Sequence, residues 1–442
     1  MNKSQLVFVP CPGMGHLIPT IEFAKLLINH DHRFSVTVLI INSPFDATYN
    51  AYVHSLVSSP SPSFPTRLHL TLLPSTLPTN ISQHHKGTFL DAFFENHKPH
   101  FREAVSNLES GPDSPPLAGF VVDMFCSPVF DVADEFGVPA FAFFPSGAAY
   151  LGFLSQFYTL MERRGVDTTA FNFKDSGMEF AFPSFLNAIP AKVFPLLVLE
   201  KGWESFSRNH ARLHKKARGI IVNTFEELES HAVLSFSSNG GIPVYPVGPI
   251  LSIEGPSNPA QQGFDVIKWL DDQPPSSVLF LCFGSLGYFD QVESGFLDRT
   301  AEVGIVIGWA PQAQILAHGA IGGFVSHCGW NTILESIYFG VPVATWPLTS
   351  EQQINAFHLV RELKIGVEIS LDYRTGFSNG SKTEVLGAER IEKGMRDVMA
   401  AKENEIRRKV KDLSEKSRRA LAEDGSSYIN LGRFIDDIMN MK

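Results

Sequence analysis

The segment Trp309 to Gln352, WAPQAQILAHGAIGGFVSHCGWNTILESIYFGVPVATWPLTSEQ, constrains the fold more than any other part of the chain. Gly323–Ser326 is a short apolar strand, and His327–Asn331 is the tight turn after it. Thr332–Phe339 reads as a helix, with Thr332 as N-cap, Glu335 three residues on and Gly340 just past the end. Val341–Thr345 is the next strand. Strand, turn, helix and strand make one βαβ unit, which requires a parallel sheet. The turn puts His327 and Asn331 at a helix N-terminus, where free N–H groups and the helix dipole favour an anion.

Other segments extend the same pattern. Leu6–Pro10 is a buried strand, Cys11–Gly15 a glycine loop, and His16 opens a helix to about Asn29. Leu17, Ile21, Ala24, Leu27 and Ile28 give that helix one buried face. Arg33–Ile41 is a second strand, Leu68–Leu73 a third and Phe89–Leu108 a helix. Leu117–Val122 is a strand ending at Asp123, and Pro139–Phe144 is another. His16 and Asp123 therefore stand just past strand carboxyl ends, where open α/β sheets bind ligands. A segment rich in Pro, Gly, Ser and Asn, Ile250–Gly263, reads as a linker, and Val278–Phe283 starts a second α/β domain ahead of the turn Gly284-Ser285. After the long segment come a helix over Gln353–Leu363, a strand over Gly366–Ile369 and mostly helix over Glu389–Leu421. The predicted boundaries are 1–249 for the first domain, 250–264 for the linker, 265–427 for the second domain, and a C-terminal helix over 428–442 that packs back on the first.

Length and composition exclude several functions. A chain of 442 residues has ample core for two domains. Its net charge of −10 opposes nucleic acid and anionic membranes as partners. No apolar run reaches a membrane span, and no cleavable leader is read at the start. Four scattered cysteines without a CxxC pair fit a reduced cytoplasmic protein. Metal dependence is not expected: no Asp-x-Asp triplet occurs and the histidines give no ligand spacing.

The Trp309–Gln352 segment resembles, almost position for position, the signature box of plant family 1 UDP-sugar glycosyltransferases. The resemblance runs from the first strand to the C-terminal helix. It implies GT-B, an α/β fold of two Rossmann-like domains facing across a cleft. It further implies inverting transfer of glucose from UDP-glucose to a hydroxyl of a small phenolic acceptor such as a flavonoid, without metal or other cofactor, by a monomer.

Residue roles follow from matching positions. PGMGHL and FVVDMF resemble the segments that carry the family's catalytic His and its Asp partner, so His16 would be the general base and Asp123 its orienting carboxylate. By spacing alone, a polar helix start and a helix cap explain these two slightly better, and the resemblance reverses that order. Trp309 would stack on uracil, with Ala310 and Gln312 lining the nucleotide pocket. Glu335 would accept from the ribose hydroxyls. His327, Asn331 and Thr332, with Ser285, would hold the diphosphate, and Glu351 and Gln352 would face the sugar. Trp330 falls in the same donor-binding set, although it and Trp309 could equally be core, and Glu335 could complete a capping box with Thr332. Pro145 stands where many members have a sugar-facing Thr, so a contact there must come from Ser146 or from backbone. The aromatic-rich segments Ala140–Phe157 and Phe180–Phe206 could line an apolar acceptor pocket, although most of the 37 Phe should be core.

Two other classes compete. A nicotinamide-dependent oxidoreductase is opposed by the incomplete fingerprint, since Gly13 and Gly15 are followed by Ile18. A relative that binds UDP-sugar or phenols without turnover is the other.

One departure stands out. Between LGYFD and GFLDRT, similar members have a full helix, a strand and a loop; here Gln291–Ser294 replaces them. Val303–Ile307 then either pairs in the sheet or leaves an apolar edge open. The expected result is a fold that survives mainly in the N-terminal domain, with UDP-sugar affinity and turnover below those of a full-length relative.

Overall fold

The computed structural model describes residues 3–58, 66–77, 86–111, 114–170, 173–201, 204–237, 241–253, 266–284, 287, 295–375, 385–400 and 405–441. Most of the linker segment, the turn residue Ser285 and the shortened stretch Gln291–Ser294 lie outside these residues. The chain divides into two compact units, Met1–Ile250 with Ser417–Lys442, and Leu251–Lys416.

The first unit opens with β1 (Ser4–Val9), α1 (Met14–His30), β2 (Phe34–Ile40), α2 (Ala47–Ser58), β3 (Leu68–Leu72) and α3 (Lys86–Glu109). It continues with β4 (Leu117–Asp123), α4 (Val129–Glu135), β5 (Ala140–Phe144) and α5 (Ala148–Arg164). The short β6 (Glu179–Phe180) and β7 (Ile189–Pro190) pair with each other. Then come α6 (Leu196–Leu199), α7 (Glu204–Lys216), β8 (Ile220–Val222), α8 (Glu226–Ser237) and β9 (Val244–Pro246). Seven strands form a parallel sheet in the order β3-β2-β1-β4-β5-β8-β9. The chain winds outward from β1 to β3, then returns to the other side of β1 with β4. The topological switch point therefore lies between β1 and β4, where ligands of open α/β sheets bind.

Continuous apolar runs explain this sheet. Leu6, Phe8, Val36, Val38 and Val121 are fully buried, as strands covered on both faces require. Phe23 of α1 stacks between Phe8 and Phe143 at centroid separations of 5.6 and 5.5 Å. At its start, α5 leaves two N–H groups that the Glu229 carboxylate accepts, from Ala148 at 2.8 Å and Ala149 at 2.9 Å.

The second unit contains α9 (Val266–Asp271), β10 (Val278–Cys282), α10 (Phe296–Thr300), α11 (Gln312–Ala317), β11 (Ile321–Ser326), α12 (Trp330–Phe339) and β12 (Val343–Thr345). After α13 (Gln352–Phe357), β13 (Gly366–Glu368) and α14 (Ala388–Met399), α15 (Glu405–Leu421) runs from this unit back to the first. There α16 (Ser426–Asn440) buries Leu431, Phe434, Ile435 and Ile438 in the core around β1 and β4. Four parallel strands are ordered β10-β11-β12-β13 among the described residues, over a core of Val325, Ala344, Val367, Ile369 and Val398.

Three expectations are corrected here. The second unit keeps its parallel sheet, so the fold does not survive mainly in the first. Val303–Ile307 is not a strand: Thr300 O accepts from Val303 N at 2.9 Å and Gly304 N at 2.8 Å, so the segment starts by turning on from α10 instead of presenting amides to a ladder. Among the described residues, strand β10 is at the sheet edge, with Leu281 42% exposed and Val303 and Val306 78% and 61% exposed. Beside it, Leu279, Ile391, Met395 and Met399 line an open apolar concavity of about 520 Å³. Finally, α12 starts at Trp330 behind an extended Gly329 (φ −63°, ψ 141°), two residues before the predicted Thr332 cap. Gly340 does close it in the left-handed region, at φ 74°.

Candidate active site

In the first unit, β1 and β4 are neighbours in the sheet, and their carboxyl ends carry the first-turn residue of α1 and the last residue of β4 to one place. His16 Nδ1 lies 2.7 Å from Asp123 Oδ2. A carboxylate can only accept, so Nδ1–H donates and Nε2 is the basic nitrogen. The Asp123 side chain is fully buried, while that of His16 is 26% exposed. The second Asp123 oxygen accepts from Phe125 N at 3.0 Å, which fixes the carboxylate. Phe125, only partly buried, meets the His16 ring edge-on at 5.3 Å, and Phe206 packs behind it at 5.1 Å. This aromatic neighbour was not singled out in the sequence; its signal was its place two residues past Asp123.

The expected Phe-lined acceptor pocket is corrected in part. Phe153, Phe157, Phe180, Phe182 and Phe194 are buried against one another, with Phe153 and Phe182 4.7 Å apart. They are core, whereas Phe125 beside His16 is only partly buried. Ser146 is buried past the end of β5, and its hydroxyl has no hydrogen-bond partner among the described residues. Pro145 beside it is buried as well.

In the second unit, His327, Trp330, Asn331 and Thr332 stand at or just before the start of α12, and Gln312 reaches that helix from α11. Gln312, the first residue of α11, donates to Glu335 Oε2 at 2.6 Å and to Thr332 Oγ1 at 3.1 Å. Thr332 therefore answers to Gln312 instead of capping its own helix. Glu335 is partly buried, and burial pushes its carboxyl up to about 7, with the Gln312 hydrogen bond working against that rise. The His327 ring is buried between two glycine turns: a Cβ at Gly284 or Gly329 would come within 2.6 Å of its Nε2. Gly284 also stands at φ 78°, so glycine is needed there twice over. Burial lowers His327 to about 4, so it is neutral near pH 7, with the Cys282 backbone hydrogen bond opposing that shift.

Trp309 is 36% exposed and Ala310 lies beside it, half-buried, immediately before α11. Trp330 is buried in α12, and Asn331 follows it in the first turn. Glu351 precedes α13. Gln352 Oε1 accepts from Leu348 N at 2.8 Å and Thr349 N at 2.9 Å, so its carbonyl shapes the turn and its amide nitrogen remains the donor end. Ser285 lies outside the described residues.

A parallel α/β unit with a histidine–carboxylate pair at its switch point, joined to a second parallel α/β unit with a glycine-bounded histidine ahead of a helix and a partly buried carboxylate within that helix, defines a glycosyltransferase of the GT-B class. Residues 275–385 match the family model "UDP-glucoronosyl and UDP-glucosyl transferase". The chain is 44% identical over 490 aligned positions to UDP-glucose flavonoid 3-O-glucosyltransferase 6 of Fragaria ananassa, covering 99% of each. A crystal structure of a UGT transferase from Siraitia grosvenorii in complex with UDP is 41% identical with a TM-score of 0.83, covering 99% of this chain and 100% of that one. UGT71G1 of Medicago truncatula, complexed with UDP-glucose, is 35% identical with a TM-score of 0.85, over 99% and 98%. The chain belongs to the UDP-glycosyltransferase family. An alignment of 490 positions against 442 residues leaves at least 48 positions without a residue of this chain, which accords with an internal shortening.

Proposed function

We propose that this glycosyltransferase moves glucose from UDP-glucose to a hydroxyl of a small phenolic acceptor such as a flavonoid, inverting the anomeric carbon. The observation that carries the reading is the 2.7 Å contact between His16 and Asp123. The acceptor hydroxyl gives its proton to His16 Nε2 as its oxygen attacks the anomeric carbon. Asp123 holds the imidazole in the required tautomer and stabilises the imidazolium that forms. The bond from the anomeric carbon to the diphosphate breaks as the new one forms, and UDP leaves with the electron pair. In the second unit, Glu335 takes the ribose hydroxyls, Trp309 and Ala310 the uracil, and Asn331, Thr332, His327 and Ser285 the diphosphate, whose charge the start of α12 offsets. Neutral His327 acts there as a hydrogen-bond partner and not as a cation. Glu351 and the Gln352 amide take the sugar hydroxyls, and Gln352 is the feature that favours glucose. Buried Trp330 supports this turn from within.

The phenolic class rests on the apolar Phe125 beside His16 and on the flavonoid glucosyltransferase among the relatives. The free cysteines support a cytoplasmic location, which cell fractionation tests. A panel of UDP-sugars tests the donor: faster turnover of UDP-galactose than of UDP-glucose removes the glucose assignment. A second reading, a member weakened in donor binding, is favoured by the open β10 edge and the shortened alignment.

A further inference from the structure

Away from the donor residues, α7 and α5 carry three donor atoms that converge. His210 and His214 stand one helical turn apart in His210-Ala-Arg-Leu-His214, a spacing that puts both rings on one face of α7. Their Nε2 atoms are 3.2 Å apart. Ser155 of α5 places its Oγ 2.9 Å from the Nε2 of His214 and 3.5 Å from that of His210. We propose that these three side chains form a binding site for one transition-metal ion of the Cu2+, Ni2+ or Zn2+ class. The i, i+4 pair is a spacing that the sequence analysis did not single out.

The geometry carries the proposal. Three atoms with these separations can all be reached by one ion at the ordinary metal–imidazole distance of about 2.1 Å, with the ion a little out of their plane. The Ser155 hydroxyl donates to Leu151 O at 2.7 Å, so its oxygen is left to act as an acceptor or ligand. His214 is only half-buried, which gives an ion a way in.

The chemistry narrows the metal. Nothing in the trio is anionic. On α4, the Asp131 carboxylate is held by Arg212, Lys216 and Lys98. Two imidazoles and one hydroxyl disfavour Mg2+ and Ca2+, which want oxygen-rich anionic sites, and favour imidazole-seeking ions, Cu2+ most. The buried Nδ1 of His210 has no acceptor among the described residues, so no outer partner reinforces that ligand, and modest affinity is expected. The site is not part of the transfer step. It does adjoin the aromatic pair beside His16, since the His210 ring stacks on Phe206 at 6.2 Å and Phe206 meets Phe125.

The test uses the full chain, stripped of metal, titrated with CuCl2 in a buffer that does not chelate. Calorimetry should give one Cu2+ per chain with a Kd of roughly micromolar order, and electron paramagnetic resonance should show two nitrogen ligands. His214→Gln, at a half-buried position where the fold should tolerate it, should weaken binding by at least about tenfold and reduce the ligation to one nitrogen. Ser155→Ala should weaken it less and keep both nitrogens. Circular dichroism confirms that each variant is folded. Failure of the parent chain to bind at about 100-fold above that Kd, or unchanged affinity and nitrogen count in His214→Gln, overturns the site and assigns the copper to other histidines.

Discussion

His16 Nδ1 and Asp123 Oδ2 meet at 2.7 Å across 107 residues of sequence, at the point where the first sheet reverses its winding. The pair gives the imidazole one orientation and one tautomer before any substrate arrives. Replacing His16 with Ala should lower turnover by about 10²–10⁴-fold, the usual worth of a positioned general base. UDP affinity by calorimetry should be unchanged. Asp123→Asn should lower kcat more than it changes KM, because it alters the tautomer and not the acceptor's contacts.

Glu335 gives a pH dependence with a definite sign. Its carboxyl ionises near 7 in the folded chain against an ordinary value of 4.5. The folded state binds the proton more tightly, so this group makes stability fall as pH rises from about 4.5 to 7, and the loss is complete above 7. Glu335→Gln should flatten that part of the profile in urea melts. UDP affinity of the parent chain should rise through pH 7 as the ribose acceptor ionises, and that rise should vanish in the variant.

His327 works in a neighbouring window. Its folded value is about 4 against 6.5. It therefore costs stability as pH falls from 6.5 towards 4, where the unfolded chain takes up a proton that the folded chain refuses. His327→Asn should reduce this acid sensitivity, read as a smaller drop in the urea midpoint between pH 7 and pH 5.

Gly284→Ala should destabilise the second unit by about 1–3 kcal/mol, because it forces a side chain into the left-handed region and its Cβ into the His327 ring. Gly329→Ala brings only the clash, since its φ is −63°, and should cost less. Thermal unfolding of the two variants measures the difference.

The exposed edge has its own consequence. Leu281→Lys on β10 should reduce aggregation, read by light scattering at raised temperature, with little change in secondary structure. Inserting the helix and strand of a close relative in place of Gln291–Ser294 should tighten UDP binding by calorimetry. Equal affinity in the short and repaired chains means that the shortening is silent for donor binding.

Much of this was legible in the sequence, for reasons that differ by residue. The strand that leads to His16 and the strand that ends at Asp123 are apolar runs buried on both faces, a signal that needs no partner to be read. The start of α12 was misplaced because Thr332 and Glu335 have the spacing of a capping box, and sequence does not reveal that Gly329 takes the extended cap conformation. The link from Gln312 to both of them spans two helices and has no local signature. Val303–Ile307 looks like a strand because it is apolar, but strand formation also needs a neighbouring ladder, and α10 turns the chain away first. The many Phe residues could not be sorted into wall and core by composition, since both uses call for the same side chain.

The measurement that bears most directly on the central claim is UDP release from UDP-glucose in the presence of a panel of phenolic acceptors, with the product linkage read by nuclear magnetic resonance. The parent chain should release UDP in proportion to the acceptor and form a β-glucoside, and His16→Ala should do neither. No acceptor-dependent UDP release, or an α-linked product, would contradict the account.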